Sequence, residues 1–358
     1  MKPVYIISSS CISPQKTFET DSFLADENII STDKNVMYCA EPDFKKFINP
    51  VQIRRMSRAL KIGFSAAMEC LNKCTVQDID AIIIGTGKGC LVDTEEFLHS
   101  IKQYNETALN PTHFIHSTYN QLNGMIAMSK KINSYNVTYA HRGFSFEHTI
   151  IDASLLFDEN EAKHILVGSF DEMTAEHFNV KNVWGYWKQE FIESKNLLLS
   201  ETPGTIAGEG SSFYILSNKR TDDKQVQIKA VRTLYNPAKA DIVFAVEKIL
   251  EEHNLSGSDV DILMRGNNGN IHQQHNDELF AELFPGTTSL YFKHLCGEYD
   301  TAGQFAFWVS TQILIHQHIP DSLYHPQEKR GYKKSGIKHI LIYNNYFELN
   351  QSFILLSI

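Results

Sequence analysis

The order of short apolar runs constrains this chain more than any single motif does. In the first part, strand-like runs at 4–8, 81–85, 137–140, 164–168 and 212–216 alternate with helical patterns at 53–73, 93–104, 121–132 and 147–157. After the charged stretch SNKRTDDKQ (217–225) the pattern restarts. Strands are expected at 226–233, 261–264, 289–292, 337–343 and 352–357, and helices at 240–253, 277–283 and 301–317. Strands alternating with helices indicate an α/β protein with largely parallel sheets. The similar order of the two parts indicates an internal duplication, one half over residues 1–218 and the other over 226–358. No Gly/Ser- or Pro-rich linker separates them, so the halves are expected to share one core.

One link in this pattern has the form of a catalytic turn. The strand ending in NVTYA (136–140) runs through His141-Arg142-Gly143-Phe144-Ser145 into the helix that begins near Glu147. A strand, a tight turn and a helix N-terminus place backbone N–H groups and the helix dipole where negative charge develops. The apex, however, is a glycine.

Other candidate motifs carry less. GTGKGC (85–90) follows a strand but lacks both the Gly-Lys-Ser/Thr ending of a P-loop and the third glycine of a dinucleotide fingerprint, so it reads as a glycine turn. Cys70 and Cys74 share a helix face without further ligands at metal spacing. HQQH (272–275) and HQH (316–318) stand in polar segments without a carboxylate triad, and no metal or cofactor is expected. No Gly-x-Ser-x-Gly elbow occurs. A net charge of −9 argues against nucleic acid or an anionic membrane as partner, since both need a basic footprint. The six scattered cysteines, the absence of a signal-peptide pattern and of any run near the ~20 apolar residues of a bilayer span lead to the expectation of a cytoplasmic protein with reduced thiols.

Three further stretches have the look of positioned turns: PGTIAGEGSSFYIL (203–216), FKHLCGEYDTAGQFAFW (292–308) and ILIYNNYFELNQSFILL (340–356). Taken in order with the 136–171 segment, they resemble the β-ketoacyl synthase family. That family has the duplicated thiolase fold, which implies α-β-α-β-α layering with two mixed, mostly parallel sheets. Gly208-Glu209-Gly210 matches its Gly-Glu-Gly turn. Lys293, Gly297, Glu298, Thr301 and Ala302 resemble its Lys-x-x-x-Gly-His-x-x-Gly-Ala motif. Asp171 stands at the acidic end of its Gly-Gly-x-Glu strand, and Asn350 resembles the Asn that closes its Gly-Phe-Gly-Gly turn.

The departures fall on the reacting positions. The nucleophilic Cys position is Gly143, the first catalytic His aligns with Asn268, and the second is Glu298; Lys293 and Asn350 are retained. Glycine has no side chain to acylate, Asn268 cannot carry positive charge, and an ionised Glu298 opposes the anion that condensation generates. In place of the small-residue turn stand Asn345-Tyr346-Phe347-Glu348, which crowd the oxyanion position. Phe144, Phe146, Tyr346 and Phe347 are the residues expected to meet an acyl chain, with packing as the competing role for Phe144 and Phe146.

The resemblance therefore implies a non-catalytic, chain-length-factor-like subunit. Its expected partners are an active ketosynthase in a heterodimer, or itself in a homodimer, and an acyl carrier protein, in polyketide, aryl-polyene or fatty-acid-type synthesis. Gly143 differs from the Gln that chain-length factors commonly carry there. Two alternatives stay open. One is an acyltransferase of the same fold with a relocated nucleophile, Ser145, Cys90 or Cys296, served by His141, His148 or Glu298. The other is a homodimeric binding or scaffold protein.

Overall fold

The alternation in the sequence becomes ten strands among the residues that the computed structural model describes, 2–19, 23–76, 78–327 and 336–358, with no side chain described for Asp26, Gln274 or His275. The strands are β1 (Val4–Ile12), β2 (Ala81–Gly85), β3 (Tyr135–Tyr139), β4 (His164–Asp171), β5 (Gly210–Ser217), β6 (Val226–Tyr235), β7 (Ile262–Arg265), β8 (Thr288–Tyr291), β9 (His339–Tyr346) and β10 (Asn350–Ser357). Their spatial order is β3-β2-β4-β5-β1-β6-β10-β9-β7-β8. Numbering the last five from β6, the order reads 3-2-4-5-1 followed by 1-5-4-2-3. The second half repeats the first in reverse about the β1/β6 seam, and the internal duplication is thus explicit in the topology.

The sheet differs from the expectation in two respects. The two half-sheets join through three antiparallel residue pairs, Val4↔Ile228, Tyr5↔Gln227 and Ile6↔Val226, so the strands form one continuous mixed sheet. Parallel pairing is confined to β2 with β3 and β4, and β7 with β8 and β9. The remaining five ladders are antiparallel. Parallel neighbours need a crossover, which helices supply only around β2 and β7; β9 and β10 instead follow one another through a short turn and must reverse.

Alternating strand side chains sort the core into layers. Ile82 and Ile84 join Leu60, Phe64 and Met68 of the helix Arg58–Lys73 and Leu122 and Ile126 of the helix Gln121–Lys130 on one outer face. Ala81 and Ile83 face inward, where the helices Ser145–Asp158 and Gly303–His316 lie together. That shared core takes in Ile340, Ile342 and Leu356 of the second half, whose own outer face is covered by the helices Lys239–Glu252 and Asp277–Leu283. The resulting succession is helix, sheet, helix, sheet, helix. The helix Gly303–His316 is apolar nearly all round, as an element buried between two sheet halves must be.

The sequence did not reveal the helices Pro111–His116 and Ala175–Val183, although each has a cap. Asn110 Oδ1 accepts from Thr112 N at 3.0 Å, and Thr174 Oγ1 accepts from His177 N at 3.1 Å. Among the described residues, no helix is long and apolar enough to cross a membrane.

The Gly-Glu-Gly turn at 208–210 owes its glycines to close approach rather than to backbone angle. A Cβ on Gly208 would lie 2.0 Å from the Cys296 carbonyl oxygen, and one on Gly210 would lie 2.5 Å from the Tyr299 hydroxyl. Between them the fully buried Glu209 accepts hydrogen bonds from Cys39 N (2.7 Å) and Met173 N (3.1 Å) and pairs with Arg58 through both guanidinium nitrogens, at 2.6 and 2.8 Å. Removing the Glu209 carboxylate leaves two backbone donors unpaired and Arg58 with Glu41 as its remaining partner. Glu209→Ala is expected to lose about 3 kcal/mol of stability, read as a lower urea midpoint at unchanged m-value.

Candidate functional site

The turn after β3 forms a rigid shelf built from backbone. Arg142 takes a left-handed φ of +47°, and Ser145 starts the helix with its hydroxyl already committed. Ser145 Oγ accepts from His141 N at 2.8 Å, with the carbonyls of Arg142 and Thr86 at 2.8 and 3.0 Å as acceptors for its own proton. The apex residue Gly143 is buried, and the space above it is taken. A Cβ there would sit 2.9 Å from Tyr346 Cβ, 2.9 Å from Asn350 Cβ and 3.0 Å from Tyr346 Cδ1. Ordinary Cβ contacts begin about half an ångström further out, so even the first carbon of a nucleophilic side chain has no room.

The occupants come from the β9–β10 turn. Phe347 and Glu348 adopt φ of +49° and +62°, the region where glycine fits without strain. The turn survives because Asn345 Oδ1 accepts from Glu348 N at 2.8 Å and because the Tyr346 and Phe347 rings meet edge to face at 4.8 Å.

Asn268, Glu298 and Lys293, distant in sequence, converge into a second buried group, and all three side chains are solvent-free. Lys293 Nζ donates to Glu298 Oε1 (2.9 Å), Glu298 Oε2 (2.7 Å) and the Asn345 carbonyl (2.6 Å), which uses its three protons. Asn268 Nδ2 donates to Glu298 Oε2 at 2.7 Å. Burial pushes the Glu298 carboxyl above its usual range, and the Lys293 charge pulls against that shift. The network satisfies its own polar groups and leaves no free donor aimed at Gly143. A polar cleft of about 340 Å³ opens on the other side of Asn268, lined in part by Leu198, Ser200, Asn270, Gln273 and His325.

Of the four side chains expected to meet an acyl chain, the structure gathers three at this shelf. Phe144 packs against His141 and His148, Tyr346 covers Gly143, and Phe347 lies beside Tyr186 at 4.4 Å. Phe146 points away, into the core between Tyr214 and Phe307. Helix periodicity explains this: Phe144 and Phe146 fall on different sides of the first turn.

The alternative nucleophiles are no better placed. Cys90 and Cys296 are fully buried, and burial raises both thiols far above ordinary cysteine, so they stay protonated. The His141 and His148 rings lie tilted against each other with their Nδ1 atoms 3.4 Å apart, and burial lowers His148. Of the two histidines in HQQH, the side chain of His275 lies outside the described residues.

Sequence reasoning missed a neighbouring cluster. Lys181, on the helix Ala175–Val183, donates to the Tyr346 hydroxyl at 2.9 Å beneath four aromatic rings. Asp300 pairs with Lys88, while Asp171 binds Gly87 N (2.8 Å) and the Thr301 hydroxyl (2.7 Å), tying GTGKGC to the 293–302 loop. The Tyr-Trp-Lys run after a Thr-capped helix was the available signal.

Residues 31–208 match the family model "Beta-ketoacyl synthase, N-terminal domain". The whole chain superposes on solved structures of that kind. An ishigamide ketosynthase/chain length factor matches at 14% identity over 99% of both chains, with a TM-score of 0.78. A β-ketoacyl synthase from Burkholderia phymatum STM815 matches at 12% identity over 100% of this chain and 99% of the other (TM-score 0.79). The ketosynthase ApeO in complex with its chain length factor ApeC, from Xenorhabdus doucetiae, matches at 14% identity over 100% and 98% (TM-score 0.75). The chain belongs to the β-ketoacyl synthase family. No curated protein sequence matches it.

The closure above Gly143 predicts how a side chain placed there behaves. Gly143→Cys is expected to cost about 1–3 kcal/mol by overpacking against Tyr346 and Asn350 and to give a thiol that a maleimide does not label, checked by thermal melting and mass spectrometry. Behind the shelf, Glu147 accepts from Ser352 Oγ at 2.7 Å, and burial pushes its carboxyl up to about 7. With the folded value above the unfolded one, the protonated form favours folding at low pH, and that stability is lost as pH rises from about 4.5 to about 7. Glu147→Gln is expected to match the parent near pH 5 and exceed it at pH 8 by up to about 3 kcal/mol, measured by urea denaturation at both pH values.

Proposed function

We propose that this chain is a ketosynthase-like subunit that has given up acyl transfer and acts beside an active β-ketoacyl synthase, as a chain-length factor does, in polyketide, aryl-polyene or fatty-acid-type synthesis. Closure of the space above Gly143 by Tyr346 and Asn350 carries the reading. A thioester carbonyl has nothing there to attack it and nowhere to sit. The self-neutralised Lys293–Glu298–Asn268 network adds that no imidazole or free donor remains to stabilise an enolate or oxyanion. On this reading residues 1–218 and 226–358 are two ketosynthase-like halves, and an acyl carrier protein delivers its chain to the partner's nucleophile.

The partner face is argued from β3. This strand is the edge of the sheet and half-exposed along its length, with Tyr135 42% exposed. Exposed apolar side chains flank it, Met128 on one neighbouring helix and Leu155 on the other, with Phe114, Ile115 and Tyr119 further along. An unprotected edge strand in an apolar surround favours pairing with another chain. Among the similar structures are a ketosynthase/chain length factor, a ketosynthase in complex with its chain length factor, and a type II acyl-carrier protein in complex with its ketosynthase.

Incubation with malonyl- and acyl-carrier protein is expected to give no covalent mass gain. An acyl adduct on Ser145, Cys90 or Cys296 would overturn the reading in favour of a relocated nucleophile. Co-expression with an active β-ketoacyl synthase from the same genome is expected to yield a heterodimer, and Tyr135→Asp with Val137→Asp to abolish co-purification without lowering Tm. Recovery of a homodimer alone would favour the scaffold reading.

A further inference from the structure

We propose that Lys181 is a carbonyl-capturing amine, forming an imine with an aldehyde or ketone at a site beside the position where the family thiol is missing. The case starts from the contrast between two buried lysines. Lys293 is locked by three oxygen acceptors, two of them on one carboxylate. Lys181 is 5% exposed, and its one hydrogen bond among the described residues goes to a neutral phenol, Tyr346, at 2.9 Å. Around its Nζ stand the rings of Tyr186 at 5.1 Å and of Trp187, Tyr346 and Phe347, each at 5.4 Å.

Such a cage excludes water but does not neutralise a charge as a carboxylate does. The charged groups facing Lys181 from the packed elements are Asp300, Lys88, Glu298 and Asp171, with His177 on its own helix. Asp300, the charge among these that acts most strongly on Lys181, is already paired with Lys88. Desolvation, assisted by the Lys88 charge, brings the amine down to about 8, which leaves an appreciable neutral fraction near physiological pH.

The cage also has a thin outer wall. Tyr186 and Phe347 are half-buried, and their ring contacts continue outward to Trp184, which is 69% exposed. Phe347, on the turn with left-handed backbone, belongs to this outer wall. On the inner side, Tyr346 separates Nζ from Gly143. The space above Gly143 is closed, so an electrophilic carbon reaches the amine only from the outer side of the cage.

The chemistry balances without any co-reactant. The neutral amine adds to the carbonyl carbon, and one N–H proton moves to the carbonyl oxygen to give a carbinolamine. The C–O bond then breaks, the second N–H proton leaves with the hydroxyl as water, and a C=N bond remains. The Tyr346 hydroxyl, held protonated because burial raises it, is placed to relay these protons between nitrogen and oxygen. Nothing is oxidised or reduced, and water reverses the step.

The test needs no partner subunit, so its failure is separate from failure of the subunit reading. The intact protein is treated at pH 7 with acetaldehyde and cyanoborohydride, and initial ethylation rates are read for each lysine by peptide mass spectrometry. With an amine near 8 against about 10.4 for an ordinary lysine, the neutral fraction is larger by roughly two orders of magnitude. Lys181 is therefore expected to label at least about tenfold faster than the exposed Lys102, with a rate that levels off above pH 8. Lys88→Met frees the Asp300 charge to act on Lys181 and is expected to shift that pH midpoint upward and slow labelling severalfold at pH 7, with Lys102 unchanged. Labelling of Lys181 no faster than Lys102, or only after unfolding in urea, overturns the proposal. So does a pH profile indifferent to Lys88→Met.

Discussion

The contact between Gly143 and Tyr346 governs everything else at this centre. Two backbone elements from opposite halves of the duplication, the β3 turn and the β9–β10 turn, approach until no carbon atom fits between them. That approach requires glycine at 143 and left-handed backbone at Phe347 and Glu348. It holds because the turns are anchored elsewhere: Ser145 ties its own turn to the β2 loop, and Lys293 ties Asn345 to Glu298. The strand, turn and helix around Gly143 are therefore rigidly held, and the volume above the glycine is filled by side chain.

The buried Lys293–Glu298 pair shows how the polar groups beside that contact are held. A carboxylate is costly in an apolar interior unless it is paired and hydrogen-bonded. Here Lys293 supplies the charge, Asn268 the additional donor, and the backbone of the Gly208 turn clamps the residue through reciprocal bonds, Gly208 N to Glu298 O at 3.0 Å and Glu298 N to Ile206 O at 2.8 Å. The three substituted positions are mutually consistent, as a settled arrangement requires. Charge has meanwhile been redistributed to the neighbouring Lys88–Asp300–Tyr346–Lys181 chain, where one cation is caged by rings rather than neutralised.

Much of this was legible in the residues themselves. Strand and helix order follow from apolar periodicity, which is local, and the expected strands fall within a few residues of those observed. The two short capped helices escaped because each is little more than two turns or less and carries no long apolar stripe. The reading of Gly143 rested on a motif frame that fits 136–171 without a gap, whereas that of Asn268 needed one inserted residue. The Lys181 cage was not legible, since its members come from 181, 186–187 and 346–347 and share no motif.

By itself the sequence determined the duplicated α/β order, the absence of a thiol at 143 and the presence of bulky residues in the turn before Asn350. Those are properties of composition and spacing along the chain. Only the tertiary structure decided that Tyr346 lands on Gly143, that Phe146 turns into the core while Phe144 stays at the shelf, and that the half-sheets fuse through β1 and β6. It also decided that Lys293 is saturated while Lys181 is not. Each of these depends on distances between residues far apart in the chain, where an ångström separates an open pocket from a closed one and a paired charge from a caged one.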